Sequence, residues 1–153
     1  MNLVDLFLST DGRINRLRFW IGTLILVAIS TAATMLNLAI IGVSQTAVML
    51  SVLVAFALAY PSYALMAKRF QDRDRPGLLA LLGIVPVFIV NLLYTFRILD
   101  PIDPTALSRI LDVILVVIGL WLLVELGCLK GTQGPNRYGP DPLGQSQADA
   151  TLG

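Results

Sequence analysis

The chain has 153 residues, 56% of them hydrophobic and 14% charged, with a mean hydropathy of +0.79 and a net charge of +1. Soluble domains carry about 25% charged residues, so this is a membrane composition; the length allows one compact unit, and the balanced charge offers no basic field to attract nucleic acid. Histidine is absent and Cys128 is the single cysteine, which excludes imidazole acid–base catalysis, Ser-His and Cys-His nucleophile pairs, imidazole metal sites and an internal disulfide.

Met1 to Ser9 carries Leu3, Val4, Leu6, Phe7 and Leu8 around one charge, Asp5. It is too short to span and is expected to lie against headgroups as an interfacial helix or turn. Thr10-Asp11-Gly12 reads as a turn. From Phe19 to Ala67 there is not one Lys, Arg, Asp or Glu. A bilayer core needs about 20 apolar residues per helix, so this stretch holds two spans and a tight turn. The first covers about 19–41, with Phe19 and Trp20 at the headgroup boundary. It is too long for a signal-peptide core of about 7–15 residues and reads as a retained helix. Gly42 to Gln45 is the turn, and the second span covers about 47–67, with a kink expected at Pro61.

Lys68 to Arg75 reads as a charged loop, and the third span covers about 77–96 with Pro86 near mid-depth. Leu99 to Pro104 is a rigid polar connection, after which Thr105 is placed to cap a helix carrying Arg109 and Asp112 in its first turns. The fourth span covers about 111–129, with Cys128 expected as a small buried apolar residue near its end. Residues 1–142 thus form one membrane domain, followed by a flexible tail over 143–153. The fold class is an all-α bundle of four membrane helices.

Orientation follows from counting cations. Arg13, Arg16, Arg18, Lys68, Arg69, Arg73, Arg75, Lys130 and Arg137 fall on one side, and only Arg97 and Arg109 on the other. The positive-inside rule then puts both termini and the middle loop in the cytoplasm.

Three segments on that side hold the informative residues. They are Gly12-Arg13-Ile14-Asn15-Arg16 with Phe19-Trp20, then Lys68-Arg69-Phe70-Gln71-Asp72-Arg73-Asp74-Arg75-Pro76-Gly77, then Gly131-Thr132-Gln133-Gly134-Pro135-Asn136-Arg137-Tyr138-Gly139-Pro140-Asp141-Pro142. Here the chain resembles the DUF805 group of bacterial inner-membrane proteins, over roughly Gly12 to Gly144. The third segment is the most specific, since that group reads Gly-Thr-x-Gly-x-Asn-Arg-Tyr-Gly-x-Asp-Pro. The first fits its Gly-Arg-hydrophobic-x-Arg opening with a following aromatic-Trp. The second departs from Arg-Arg-Leu-His-Asp-x-Gly-Arg-Ser-Gly, with Gln71 standing where the group has histidine. The resemblance implies a small multi-pass inner-membrane protein and no established reaction.

Arg13, Arg16, Arg69, Asp72, Arg75, Asn136, Arg137 and Tyr138 are the candidate cap site. One reading is an ion-pair network that pins loops to the bundle and anchors lipid headgroups. The other is an anion site, for which arginine supplies a fork of donors. Glu125, the single glutamate, sits about one turn inside the fourth span and is a candidate by its depth, with pairing to an arginine as the alternative to proton or ion handling. Asn37 and Asn91 are expected to bond across helix interfaces. The glycine-rich tail lacks the Gly-Lys-Ser/Thr of a nucleotide loop. Neither a catalytic residue, a cofactor nor a metal is assigned.

The expected function is therefore non-catalytic: an accessory, scaffold or regulatory subunit that binds other membrane proteins or anionic headgroups through the arginine-rich cap, in a membrane-protein complex or homo-oligomer. Two alternatives stand beside it. One is a small oligomeric transporter or channel that depends on Glu125 or Asn91; the other is an interfacial enzyme on a lipid phosphate with Asp72 as its base.

Overall fold

The computed structural model describes residues 2–100 and 103–144. Pro101 and Ile102 of the expected rigid connection, and residues 145–153 of the expected tail, lie outside the described residues. The elements are α1 (Leu3–Leu8), α2 (Arg16–Ile41), α3 (Gln45–Asp72), a 3-10 turn (Gly77–Ala80) leading into α4 (Leu81–Thr95), and α5 (Ala106–Leu122), which ends in a π-helical turn (Leu123–Cys128). Among the described residues four helices are long and apolar enough to cross a membrane: Arg16–Ile41, Gln45–Asp72, Gly77–Thr95 and Ala106–Cys128.

Short polar residues start these helices. The side chains of Asn2, Asn15, Ser44 and Thr105 accept from the amides of Asp5, Arg18, Ala47 and Ser108, which satisfies one orphan N–H at each N-terminus. The cap on Asn15 starts α2 at Arg16, so Arg16 and Arg18 are helical. At its other end Gly42 takes φ 71° and donates back to Leu38 O at 2.9 Å, and Val43-Ser44 then turns the chain into α3. Helix α3 runs through Pro61 to Asp72.

The expected loop from Lys68 to Arg75 is corrected by this length: Lys68 to Asp72 are the buried last turns of α3, not a solvated connection. The reason is that internal partners wait for each charge, as described below. Helix α3 then stops in a Schellman arrangement. The Asp74 amide bonds Gln71 O at 3.0 Å, the Arg75 amide bonds Phe70 O at 3.0 Å, and Asp74 is left-handed at φ 56°. Asp74 occupies the position that reads glycine in the DUF805 pattern, the residue such a corner favours.

Each helix packs on the next, α2 on α3, α3 on α4, α4 on α5, and α2 returns to the π-helical end of the fourth span. The buried apolar core gathers at that end, around Leu6, Ile14, Phe19, Leu65, Phe70, Ala80 and Leu126. Further along the bundle the outward faces are apolar and uncovered, with Leu36, Leu53 and Val113 each 62% exposed. Such a surface has no place in water but is ordinary against lipid tails. Helix α1 is held on α3 by its C-terminal carbonyls. Lys68 Nζ donates to Asp5 O and Leu6 O, and Tyr60 Oη to Leu8 O at 2.9 Å. Leu6 is buried beneath it while Leu3, Val4 and Leu8 face outward.

Candidate functional site

The three charged segments meet at the end of the bundle where the core lies. Asp72 is the centre. Arg13 Nε donates to its Oδ1 at 3.1 Å and Arg69 Nη1 to its Oδ2, with all three side chains almost fully buried. The Asp72 carbonyl takes the Thr132 amide at 2.8 Å and the Thr132 hydroxyl at 3.0 Å, so the tail is pinned by backbone as well as charge. The carboxylate lies against the backbone of Gly131, where a Cβ would collide with both of its oxygens. Only glycine fits that approach.

Arg13 has its five donor bonds inside the protein. Besides Asp72, Nη1 reaches Gly134 O at 2.7 Å and Gly139 O at 3.2 Å, and Nη2 reaches Thr132 O at 2.6 Å and Thr132 Oγ1 at 3.1 Å. This is the planar fork that distinguishes arginine from lysine. It ties the start of the chain to residues more than a hundred positions later.

Arg69, with 0% exposure, does the same for the end of the fourth span. A helix C-terminus leaves its last carbonyls without amide partners and carries negative partial charge. Five consecutive carbonyls are taken by side-chain donors: Leu126 O by Arg69 Nε at 2.7 Å, Gly127 O by Trp20 Nε1 at 3.3 Å, Cys128 O by Arg16 Nη1 at 3.1 Å, Leu129 O by Arg69 Nη2, and Lys130 O by Arg73 Nη1 at 2.9 Å. The π-helical turn thus ends in a bed of three guanidiniums and an indole. Glu125, on the same turn, is paired: its Oε1 accepts from Arg73 Nε at 2.7 Å and lies 3.1 Å from Arg75 Nη1.

The tail motif is a second layer over this centre. Asn136 Nδ2 donates to Gln71 O at 2.9 Å and to Thr132 Oγ1 at 3.0 Å, while its Oδ1 accepts the Tyr138 amide at 2.9 Å. Asn136 and Gly139 exchange backbone bonds of 3.0 and 3.1 Å across the turn. Arg137 closes the edge, pairing with Asp74 Oδ1 at 3.1 Å and lying 4.8 Å from the Tyr138 ring centroid. The Leu143 and Gly134 amides, each at 2.9 Å, hold the Asp141 carboxyl below the usual carboxylate range.

Of the residues singled out in the sequence, Arg13, Arg69 and Asp72 form the buried centre, and Asn136, half-buried, lies in the layer over it. Arg16 lies on the helix-end carbonyls, Arg75 on Glu125, and Arg137 with Tyr138 at the rim. Sequence reasoning missed Thr132, Gly131, Trp20, Arg73 and Lys68 as contact residues. Thr132 and Gly131 had a signal in the tail motif, whereas Lys68 shows nothing in one dimension of the α1 carbonyls it caps. Two expectations are corrected. Asn91 Nδ2 donates to Val87 O of its own helix at 2.8 Å, not across an interface, because a residue one turn back supplies the nearest acceptor. Cys128 is exposed, because the helix ends there beside the arginines rather than beneath a neighbour. Asn37 does bridge α2 and α3, donating to Ala47 O at 2.7 Å and Ser51 Oγ at 3.1 Å. Among the described residues no group of three or more metal-ligating side chains comes together.

The chemistry of the arrangement is that of a latch. Its central carboxylate, Asp72, is clamped by two guanidiniums, and its backbone acceptors are taken by the remaining donors. Removing one member of a buried pair leaves an uncompensated charge, and that strongly destabilises.

Comparison with known proteins agrees with the motif. The chain is 29% identical to the "Uncharacterized protein YiiR" of Escherichia coli strain K12 over 141 residues, which is 92% of this chain and 90% of that protein. It is 28% identical to the "Inner membrane protein YhaI" of the same strain over 142 residues, 93% of this chain and 92% of that protein. No solved structure matches. The family described as "Protein of unknown function (DUF805)" matches residues 7–140, and the chain, which carries that family's tail motif on its buried Arg13–Asp72–Arg69 centre, belongs to it.

Proposed function

We propose that this is a multi-pass protein of the bacterial inner membrane, with both ends and the arginine cap on the cytoplasmic side. It acts without catalysis, as an accessory, scaffold or regulatory subunit that meets a membrane-protein partner and anionic headgroups at the rim of the cap. The relative named as an inner membrane protein supports the location. The orientation is supported by the gathering of nine of the eleven Lys and Arg residues at the cap end.

The observation that carries the functional reading is the division of the arginines. Arg13 and Arg69 are buried and spend their donors on Asp72 and on carbonyls, which makes the centre rigid. Arg75 and Arg137, paired with Glu125 and Asp74, still keep side-chain exposures of 45% and 57% and hold further donors toward solvent. A rigid platform with a cationic rim suits recognition of an acidic partner surface. The transporter and lipid-enzyme alternatives lean on Glu125 and Asp72, and both carboxylates are held in ion pairs.

The test is native mass spectrometry of the protein extracted gently with its lipids. A protein partner of fixed stoichiometry, lost in Arg75→Ala with Arg137→Ala, is the expected result. A chain that is always found without a protein partner, or a partner unaffected by those substitutions, overturns the reading.

A further inference from the structure

A cleft of about 650 Å³ runs between the four long helices. Along α3 it is lined from Val48 to Met66, about 27 Å at 1.5 Å per residue. That is close to the whole hydrocarbon thickness of a bilayer, about 30 Å. Its walls are apolar, with a few hydroxyls and Asn91 among them. Helices α3 and α4 form the back. Helix α2 meets the fourth span through the π-helical end, so the bundle is closed at the cap and parts between α2 and α5 beyond it. In a chain that spans a bilayer, that opening faces lipid.

The dimensions select the occupant. The volume spread over 27 Å gives a section of about 24 Å². That section is about 5.5 Å across, or about 8 Å once a water radius of about 1.4 Å is added on each side, and a helix with side chains, about 10–12 Å across, does not enter whole. An extended hydrocarbon chain, whose carbons approach their neighbours to about 3.5–4.0 Å, does. Charge selects the headgroup. Trp20 lines the cap end of the cleft, and Arg16 lies one helical turn before it. Arg16 is exposed and commits Nη1 to Cys128 O, with its other nitrogens unbonded among the described residues.

Gly119 is the point of control. It lines the cleft from α5, and a Cβ built on it meets nothing within 4 Å. At Gly83, on the adjoining helix α4, the space is filled by Leu122 of α5. A glycine inside a helix costs about 1 kcal/mol relative to alanine, and at Gly119 no neighbour requires it.

We propose that this cleft is a binding site for one acyl chain of an anionic phospholipid, with the chain passing Gly119 and the phosphate held at Arg16. The proposal needs membrane residence but not the accessory-subunit reading.

The test uses the full chain in nanodiscs of mixed phosphatidylglycerol and phosphatidylethanolamine, followed by native mass spectrometry as lipids are stripped. One phosphatidylglycerol per chain is expected to outlast the rest. Gly119→Leu should lower its retention by at least about tenfold while leaving the melting temperature unchanged or higher. Arg16→Ala should lower the preference for phosphatidylglycerol about two- to fivefold, the range of an exposed ion pair. Val27→Trp, which fills the cleft from α2, repeats the first result if Gly119→Leu does not fold. Lipids lost together without a retained one, or retention unchanged in both filling variants, overturn the proposal. So does a protein chain that occupies the cleft and is displaced by Gly119→Leu. Loss of a protein partner in Arg75→Ala with Arg137→Ala is read as a separate mass in the same spectra, so failure of the partner reading is distinguished from loss of the cleft lipid.

Discussion

Asp72→Asn is the substitution that separates a latch from a reaction site. The replacement keeps the shape and removes one charge. It leaves Arg13 and Arg69 facing each other across a neutral amide, with side-chain exposures of 2% and 0%. An amide nitrogen at either oxygen position would also point a donor at a guanidinium. Breaking a buried pair in this way costs about 3–5 kcal/mol. The lower part of that range is expected, because both arginines retain bonds to carbonyls. For a chain of this size about 1 kcal/mol shifts the melting temperature by roughly 2–4 °C, so a fall of about 6–12 °C is expected for a loss of about 3 kcal/mol. Thermal unfolding followed by tryptophan fluorescence reads it, since Trp20 is bonded to Gly127 O beside the site. Hydrogen exchange at Thr132, whose amide rests on the Asp72 carbonyl at 2.8 Å, gives the local readout. A variant that melts within about 2 °C of the parent and keeps Thr132 protected would refute the latch. It would return Asp72 to the role of a base.

Three further outcomes follow from the same geometry. Gly131→Ala places a methyl group into the Asp72 carboxylate, and such overpacking should lower stability by about 1–3 kcal/mol in the same melting assay. Asp74→Gly relieves a left-handed residue at φ 56° but gives up an exposed pair with Arg137. A net gain of up to about 1 kcal/mol is expected, seen as a higher melting temperature. The Asp141 carboxyl is held below its ordinary value by the Leu143 and Gly134 amides, so its contribution is full above the unfolded value and is lost as pH falls through the lower folded one. Exchange protection of the Gly134 amide should therefore be flat from neutral pH to the ordinary carboxylate range and fall below it, and Asp141→Asn should remove that dependence.

The four spans were legible because hydropathy is a local property: the solvent a segment needs is written in the segment itself. Thr105 could be read as a cap for the same reason, since its acceptor serves an amide three residues on. Charge counting also brought the three segments to one end, and the tail motif marked Asn136, Arg137 and Tyr138. Which arginine turns inward was decided only by the tertiary structure. Arg13 and Asp72 are 59 positions apart, and Arg13 and Gly139 are 126. The acceptors are backbone carbonyls left over where a helix stops, and any residue type can carry them. The burial of Lys68 has the same origin, since its partners are the last carbonyls of α1. The cleft at Gly119 belongs to no single segment, because it is the space left when α2 closes on the π-helical end of the fourth span and parts from α5 beyond it. Solvent preference sums along a chain, whereas donor–acceptor pairing and empty volume exist only between parts of it, and for that reason the sequence determined the membrane bundle and its charged end while the fold decided the latch.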